Sequence, residues 1–388
     1  MNKSKFSIFL QKMSWKSIIA VLLAAVAAAC SRPSPADPFD TVYYAPVHAR
    51  GFEIKGMKDS LSRVIRTKAP WQGADSTAME LFIARGGETP PEGFSGQVIY
   101  GEAHRIAAMS SSYVAMLDLL GETERIRAVS GIDFISNSYI SEHRDSIADV
   151  GNETGADFEK LAAARPDLVL LYGITASSPM EGRLRSLGIP YFYVGEYLEN
   201  DPLGKCEWLV AFGEIVGNAG KGAEVFRGIA GEYNRLKSLV PENAEKPKIM
   251  LNVPYGDIWY MASCNSPIAA MIEDAGGEYL YKDNRTNKSV PIDMEKAFVL
   301  ASEADFWLDT GQIASMGRLL SAYPEFAEVR SVRERNVFNN DRRRSAGGGN
   351  DFWESGQARP DLVLHDLINI LHPGVLEDEE MNYYRRLD

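Results

Sequence analysis

Residues 220–239 read GKGAEVFRGIAGEYNRLKSL. Ala223, Phe226, Ile229, Ala230, Tyr233 and Leu236 recur at spacings of three and four, the period of one helical face. A helix of about 20 residues is about 30 Å long. A second apolar-periodic helix, 205–216, precedes it, and Pro241 and Pro247 close the segment. Almost no strand-forming sequence lies within 204–240, whereas short apolar runs alternate with helical segments on either side. The stretch therefore reads as a stiff connector that passes once from one α/β body to another.

On the N-terminal side, 168–172 is a short apolar run closed by Gly173, which reads as a buried strand. Strands are also expected at 125–129 and 189–194. Helices are expected after the N-cap candidates Ser110 to Ser112, after Asp157, and over 180–187, ended by Gly121, Pro166 and Gly188. On the C-terminal side, strands at 248–253, 258–261 and 305–308 alternate with helices that start at Ser266-Pro267 and Asp293. A last helix runs over 360–371. Alternation of this kind predicts parallel βαβ units, with ligands bound outside the carboxyl ends of the strands. DFEK at 157–160 and DMEK at 293–296 open corresponding helices and point to lobes with the same local build. ARPDLVL occurs twice. At 164–170 it runs toward Gly173 and fits a strand; at 358–364 it keeps a helical period to Leu371 and fits a helix. Residues 41–100 differ again, with short β runs at 52–54 and 79–84 between Gly, Pro and Asp.

The chain has 388 residues, and 41 Lys+Arg against 53 Asp+Glu leave a net charge of −12. That balance argues against nucleic-acid binding, which needs clustered cations to neutralise phosphate. Three cysteines are too few for a disulfide scaffold. Cys206 and Cys264 are expected as two separate buried thiols, with a bridge between them as the alternative. Lys3, Lys5, Lys12 and Lys16 precede an apolar run at 18–29, shorter than the about 20 residues that span a bilayer, so this reads as an export signal. The run ends VAAAC at Cys30, which resembles a bacterial lipobox, with Ala27 where that pattern prefers Leu. The resemblance implies a lipid on Cys30 and a tether rich in proline (Pro33, Pro35, Pro38) after it; ordinary signal cleavage is the alternative. Ser31 leaves open which membrane carries the anchor.

Taken together, residues 95–375 resemble a class III periplasmic substrate-binding protein, the helical-backbone group that serves ABC importers of iron complexes, haem and cobalamin. The motifs are MSSSYVAMLDLLG (109–121), DVG (149–151), DFEKLAAARPDLVLL (157–171), GIP (188–190), YGDIWYMASCNSPIAAMIEDAGG (255–277) and SVPIDMEKAFVLASEADFWL (289–308), in that order. Residues 42–92 look like the β-rich N-terminal extension of lipoprotein members from Bacteroidetes. The resemblance implies two Rossmann-like lobes, a chelate as ligand, a permease and an ATPase as partners, and a monomer. In that family an acidic side chain on each lobe meets an arginine of the permease. The N-lobe position is Ala115 here, with Asp118, Glu122 or Glu124 as substitutes; Glu273 and Asp274 lie on the matching C-lobe helix. Rim charges of this kind steer and register partners.

Three segments after C-lobe strands supply candidate ligand contacts: Tyr255, Trp259 and Tyr260; Arg285, Asn287 and Lys288; and Arg342, Arg343 and Arg344, followed by Gly347 to Gly349 and Asn350 to Trp353. Guanidinium groups beside aromatics suit a large, flat, anionic ligand. This favours a ferric siderophore, with cobalamin and then haem as alternatives. In the N-lobe, Phe134, Tyr139, Tyr172 and Tyr197 follow strand ends. The arginine stretch also fits a solvated basic loop, and the aromatics also fit core. The five histidines, His48, His104, His143, His365 and His372, form no metal-binding pattern, so neither a protein metal site nor a cofactor is expected; His104 is the candidate axial ligand should the cargo be haem. No hydrolase, zinc-protease or phosphate-loop motif is present. A periplasmic enzyme or a non-docking binding module on the same scaffold is the alternative class.

The expected organisation is a signal at 1–29, a tether at 30–41, a β-rich extension at 42–100, an N-terminal α/β lobe at 101–203, connecting helices at 204–240 and a C-terminal α/β lobe at 241–388.

Overall fold

A computed structural model of the chain describes residues 37–241, 245–286, 288–377 and 380–388. Cys30 and Asn287 lie outside the described residues.

The connector is a 21-residue helix, Ala219–Leu239, about 31 Å long at 1.5 Å per residue. Its buried residues, Gly222, Phe226, Ile229, Tyr233 and Leu236, fall on the face the sequence marks as apolar. It packs against Leu209–Ile215 and against the last helix, Pro360–Leu371. The first contact needs glycine: a Cβ on Gly222 would lie 2.6 Å from the Leu209 carbonyl oxygen, so a side chain there would push the two helices apart.

Five strands, β1 (Thr41–Tyr44), β2 (Phe52–Gly56), β3 (Arg63–Lys68), β4 (Ala78–Ala84) and β5 (Gln97–Tyr100), form the N-terminal sheet in sequence order. All its pairings are antiparallel except β4 with β5. The N-lobe sheet contains β6 (Ile106–Ala108), β7 (Ile126–Val129), β8 (Ala148–Asp149), β9 (Leu168–Leu171) and β10 (Tyr191–Tyr193), in the order β10-β9-β6-β7-β8 and all parallel. Counted within the lobe this is 3-2-1-4-5 read from the other edge as a Rossmann-type half, with the first strand central. Its strands are buried on both faces. Ala107, Val169 and Tyr191 pack on one side while Ile106, Ala108 and Leu170 pack on the other, following the two-residue alternation of strands.

The C-lobe sheet contains β11 (Lys248–Leu251), β14 (Glu278–Tyr279), β16 (Phe306–Leu308), β17 (Val337–Asn339) and β18 (Arg385–Arg386), in the order β14-β11-β16-β17-β18, parallel except for β18. Within the lobe this is 2-1-3-4-5, so the two lobes share local build but not strand order. The difference begins directly after β11. There the chain doubles back through β12 (Pro254–Tyr255) and β13 (Ile258–Met261), which join β15 (Val290–Asp293) in a small antiparallel sheet of their own. The shared motif does hold locally: Asp157 caps the amide of Lys160, and Asp293 caps that of Lys296.

The repeated ARPDLVL splits as its context dictates. In the first copy Arg165 terminates a helix in the left-handed region and Leu168–Leu171 is the strand β9. In the second, Pro360 takes the first helical position, where its missing N–H costs nothing, and Leu362 to Leu364 are helical.

The N-terminal sheet is fastened to the crossover by two carboxylates. Glu207 is fully buried and accepts from the Tyr44 hydroxyl (2.7 Å) and the amides of Val47 (2.8 Å), His48 (2.7 Å) and Ala49 (2.7 Å). Glu199 accepts from the amides of Arg50 (2.9 Å) and Gly51 (2.8 Å) and from the Trp208 indole (3.1 Å). Phe52 packs on Trp208 with ring centroids 4.8 Å apart. One hydrophobic cluster runs from Phe52 and Ile54 through both lobes. Both thiols are free. Cys206 is buried, whereas Cys264 is only partly so, against the expectation for the second. Among the described residues, no helix is long and apolar enough to cross a membrane.

Candidate functional site

A groove of about 1010 Å³ opens where the three bodies meet. Its floor is the crossover segment 198–202. One wall is the extension, residues 46–51 and 68–75; the facing wall is C-lobe, with Cys264, Asn265, Ala270 and Glu273. The volume sits at the upper end of the about 300–1,000 Å³ typical of small-molecule sites. Trp71 forms part of the extension wall and meets Tyr193 edge-on at 5.5 Å. The neighbouring Gln72 amide donates to the Ile174 carbonyl at 3.1 Å, which ties the extension to the N-lobe loop after β9. Beyond that strip lies an alcove of about 390 Å³ built from residues 152–154 and 172–179. There Glu153 accepts from the Tyr172 amide at 3.3 Å, and burial pushes its carboxyl above the ordinary range.

A latch joins the lobes on the β7–β17 side. The Ser345 hydroxyl donates to the Asp133 carbonyl at 2.9 Å, and Glu354 accepts from the amides of Ser136 (2.6 Å) and Asn137 (2.9 Å). Gly347 and Gly349 lie so close to the Asp133 and Phe134 carbonyls that neither has room for a Cβ. A crevice of about 270 Å³ remains beside them. Lys205, in the crossover, adds a second tie by donating to Gln357 of the C-lobe.

Burial lifts the Glu354 carboxyl to about 7, helped by the charges of Asp351 and Asp118 and opposed by the two amides. A carboxyl with a raised native pKa holds its proton more tightly when folded. Its contribution is therefore fully present below the ordinary carboxylate pKa and is lost as pH rises through about 7. We expect the urea midpoint to fall between pH 5 and pH 8, by no more than about 3 kcal/mol of stability, and Glu354→Gln to flatten that dependence. A wild-type dependence that the variant leaves intact would contradict the assignment.

In the C-lobe the two strands beside the switch point both end in left-handed residues, Asn252 (φ 66°) after β11 and Asp309 (φ 62°) after β16. Asp309 accepts from the Tyr384 hydroxyl at 2.8 Å, and desolvation pushes its carboxyl up to about 6. Strained, perturbed positions at strand ends of an α/β sheet are candidate ligand positions, although neither residue lines the groove.

Residues 106–343 match the family model described as periplasmic binding protein. The chain belongs to the periplasmic binding protein family. An uncharacterised lipoprotein of Methanocaldococcus jannaschii is 26% identical over 292 residues, covering 72% of this chain and 68% of the relative. A cobalamin-binding protein of Halobacterium salinarum is 25% identical over 199 residues, about half of each chain (51% and 52%). Among solved structures, a periplasmic heme binding protein from Pseudomonas aeruginosa superposes with a TM-score of 0.57 at 16% identity, covering 74% of this chain and 98% of that one. That likeness concerns the fold.

Placed on this periplasmic binding protein, the ligand contacts expected from sequence scatter. Trp259 is fully buried, stacked on Trp307 at 5.3 Å with its indole donating to the Leu251 carbonyl, and is a core residue rather than a contact. The alternation of β13 explains this: Ile258 and Tyr260 face out, Trp259 and Met261 face in. Tyr255 and Tyr260 are exposed on the small sheet, and Arg285 is exposed in the loop beside Asn265. The arginine cluster is spent on neighbours. Arg342 pairs with Glu380 (2.7 Å), Arg343 with Asp351 (3.5 Å) over the Tyr383 ring, and Arg344 with Asp341 (3.8 Å). Trp353 is exposed against Phe352, and Phe134 is exposed at the latch. Tyr172 lines the alcove, while none of these residues lines the groove. Tyr197 is tied to the Gly173 carbonyl. His104 lies just before β6, at the amino edge of the N-lobe sheet, and its Nε2 lies 3.5 Å from Glu102.

Of the docking candidates, Asp118 and Glu273 are exposed. Asp274 is instead engaged by the connector, accepting from the Tyr233 hydroxyl (2.7 Å) and pairing with Lys237 (2.6 Å). Ala115 is buried among the all-round buried turns of Ser111–Leu119, so a carboxylate there would have no water to face. Sequence reading missed His48 and Glu199, which line the groove, and Glu153, which lines the alcove. Their roles come from partners far along the chain, and no local motif marks them.

Proposed function

We propose that this protein captures a metal chelate outside the cytoplasm, held to a membrane through Cys30, and passes it unaltered to the permease and ATPase of an ABC importer. The observation that carries the reading is the groove of about 1010 Å³, large enough for a macrocyclic chelate, walled by elements that one connector and one latch hold together. Binding rather than catalysis fits a site whose titratable groups serve as structural anchors. A cobalamin- or haem-like macrocycle is favoured over a ferric siderophore, because the guanidiniums that motivated the siderophore are already paired. Arg343→Ala is accordingly expected to change chelate affinity by less than about 0.5 kcal/mol, measured by equilibrium titration; a tenfold loss would return the arginines to the site. The importer role is tested by reconstitution with a candidate permease and ATPase from the same organism. Chelate-loaded protein should stimulate ATP hydrolysis above the unloaded protein, and equal rates would contradict the role.

A further inference from the structure

The register of the N-terminal sheet gathers exposed apolar side chains at one of its ends. Thr41 pairs with Gly56, Val64 with Lys55, Arg63 with Ile83, and Ala84 with Tyr100. The start of β1, the turn 57–62 and the ends of β4 and β5 therefore share that end, away from the groove. Val42 (55% exposed), Tyr43 (40%), Leu61 (61%) and Tyr100 (78%) lie there. Two of them are held in place by polar contacts. The Arg63 guanidinium sits 3.4 Å above the centre of the Tyr43 ring, and the Tyr43 hydroxyl reaches the Met57 and Ser60 carbonyls, each at 3.4 Å. Leu61 projects from a turn whose Leu61 (3.0 Å) and Ser62 (3.1 Å) amides donate to Glu88. Apolar side chains fixed in water at one end of a sheet mark a contact surface.

The tether and the charge balance indicate what covers it. Asp37, the first described residue, is pinned on the outer face of the same sheet by Lys55 (3.3 Å) and Arg66 (3.1 Å). Cys30 lies seven residues earlier, a reach of at most about 25 Å. A lipid on Cys30 therefore holds this sheet within that distance of the bilayer. Residues 37–100 carry 7 Lys+Arg against 8 Asp+Glu, whereas residues 101–388 carry 29 against 45. An anionic lipid surface repels the lobes and leaves the sheet free to approach. Tyrosine, with an apolar body and a polar tip, suits the headgroup level.

We propose that this end of the N-terminal sheet rests in the headgroup layer of the membrane that carries Cys30, with Tyr43, Leu61 and Tyr100 as its lipid contacts. The sheet is fastened to the crossover through Glu199 and Glu207, and to the helix before the connector by the Arg85–Glu214 pair. Its seat therefore also fixes how the two lobes are turned relative to the lipid. The proposal rests on the Cys30 anchor of the reading above.

The test places a fluorophore on the full acylated chain, bound to vesicles of phosphatidylcholine and phosphatidylglycerol doped with spin-labelled, quenching phosphatidylcholine. A Cys264→Ser background leaves the buried Cys206 as the remaining unmodified thiol. The dye is attached at Leu61→Cys, at Tyr100→Cys, or at Val299→Cys on the C-lobe helix Met294–Glu303. Emission from 61 and from 100 should be largely quenched, and emission from 299 should be unchanged. Flotation with the vesicles reads the anchor separately. A chain that floats with 61 and 100 unquenched, whether bare or covered by a second copy, overturns the proposal and leaves the anchor standing. Equal quenching at 299 overturns it as well. A chain that does not float removes the anchor and the proposal together.

Discussion

Glu207→Ala is expected to destabilise the protein by about 3–5 kcal/mol, because it strips a buried charge network of its acceptor. Four donors converge on that carboxylate: the Tyr44 hydroxyl and the amides of Val47, His48 and Ala49, all at 2.7–2.8 Å. Hydrogen bonds to an ionised acceptor are the strong class, and each buried donor left without one costs about 1–3 kcal/mol, with the sum less than additive. Alanine removes both oxygens and leaves the segment with no substitute. Glutamine keeps one oxygen and turns an NH2 toward the other donors, so it should fall between. Urea unfolding reads the loss, and limited proteolysis within residues 44–51 shows where it occurs. A Glu207→Ala protein with the wild-type midpoint and cleavage pattern would mean that the N-terminal sheet is not anchored there.

The second large effect is expected at the latch. Gly349 approaches the Phe134 carbonyl so closely that an added Cβ would overlap backbone, which cannot swing aside as a flexible side chain can. Gly349→Ala should cost about 3 kcal/mol or more, above the usual overpacking range, or else part the lobes. Parting would expose the Ser136 and Asn137 amides that now donate to Glu354, and their hydrogen exchange should accelerate. Gly348 provides the control. Its φ of +91° strains any other residue, but nothing lies within 4 Å of its Cβ position. Gly348→Ala should therefore lower stability modestly and leave the two amides protected. Equal behaviour of the two variants would show that backbone strain, not lobe contact, governs the loop.

How much the sequence made legible depends on how local each signal is. The connector could be read because its apolar period persists for about 20 residues without a competing pattern. The two copies of ARPDLVL could be separated by their downstream neighbours: a glycine stop after one, continued helical spacing after the other. Asp157 and Asp293 act within one turn of their own helices, so their caps were visible too. Trp259 was not, because Ile258 to Met261 contains no polar residue to mark the outer face. The packing of Trp307 and Phe326 decides it. The pairing of the arginine cluster was hidden for a related reason: its partners Glu380 and Asp351 are set by the path of the C-terminal tail and the loop after β17, which local pattern does not encode. The anchoring of 47–51 by Glu199 and Glu207 joins elements far apart in the chain, beyond any short-range rule.

The central claim is that two lobes and an added sheet, held on one strut, grip a metal chelate and release it unchanged. Native mass spectrometry of residues 31–388 with cobalamin, haem and ferric siderophores tests it most directly. The account predicts one chelate per chain, recovered on denaturation at its original mass. A chain that retains none of them, or that returns the chelate chemically altered, would contradict it.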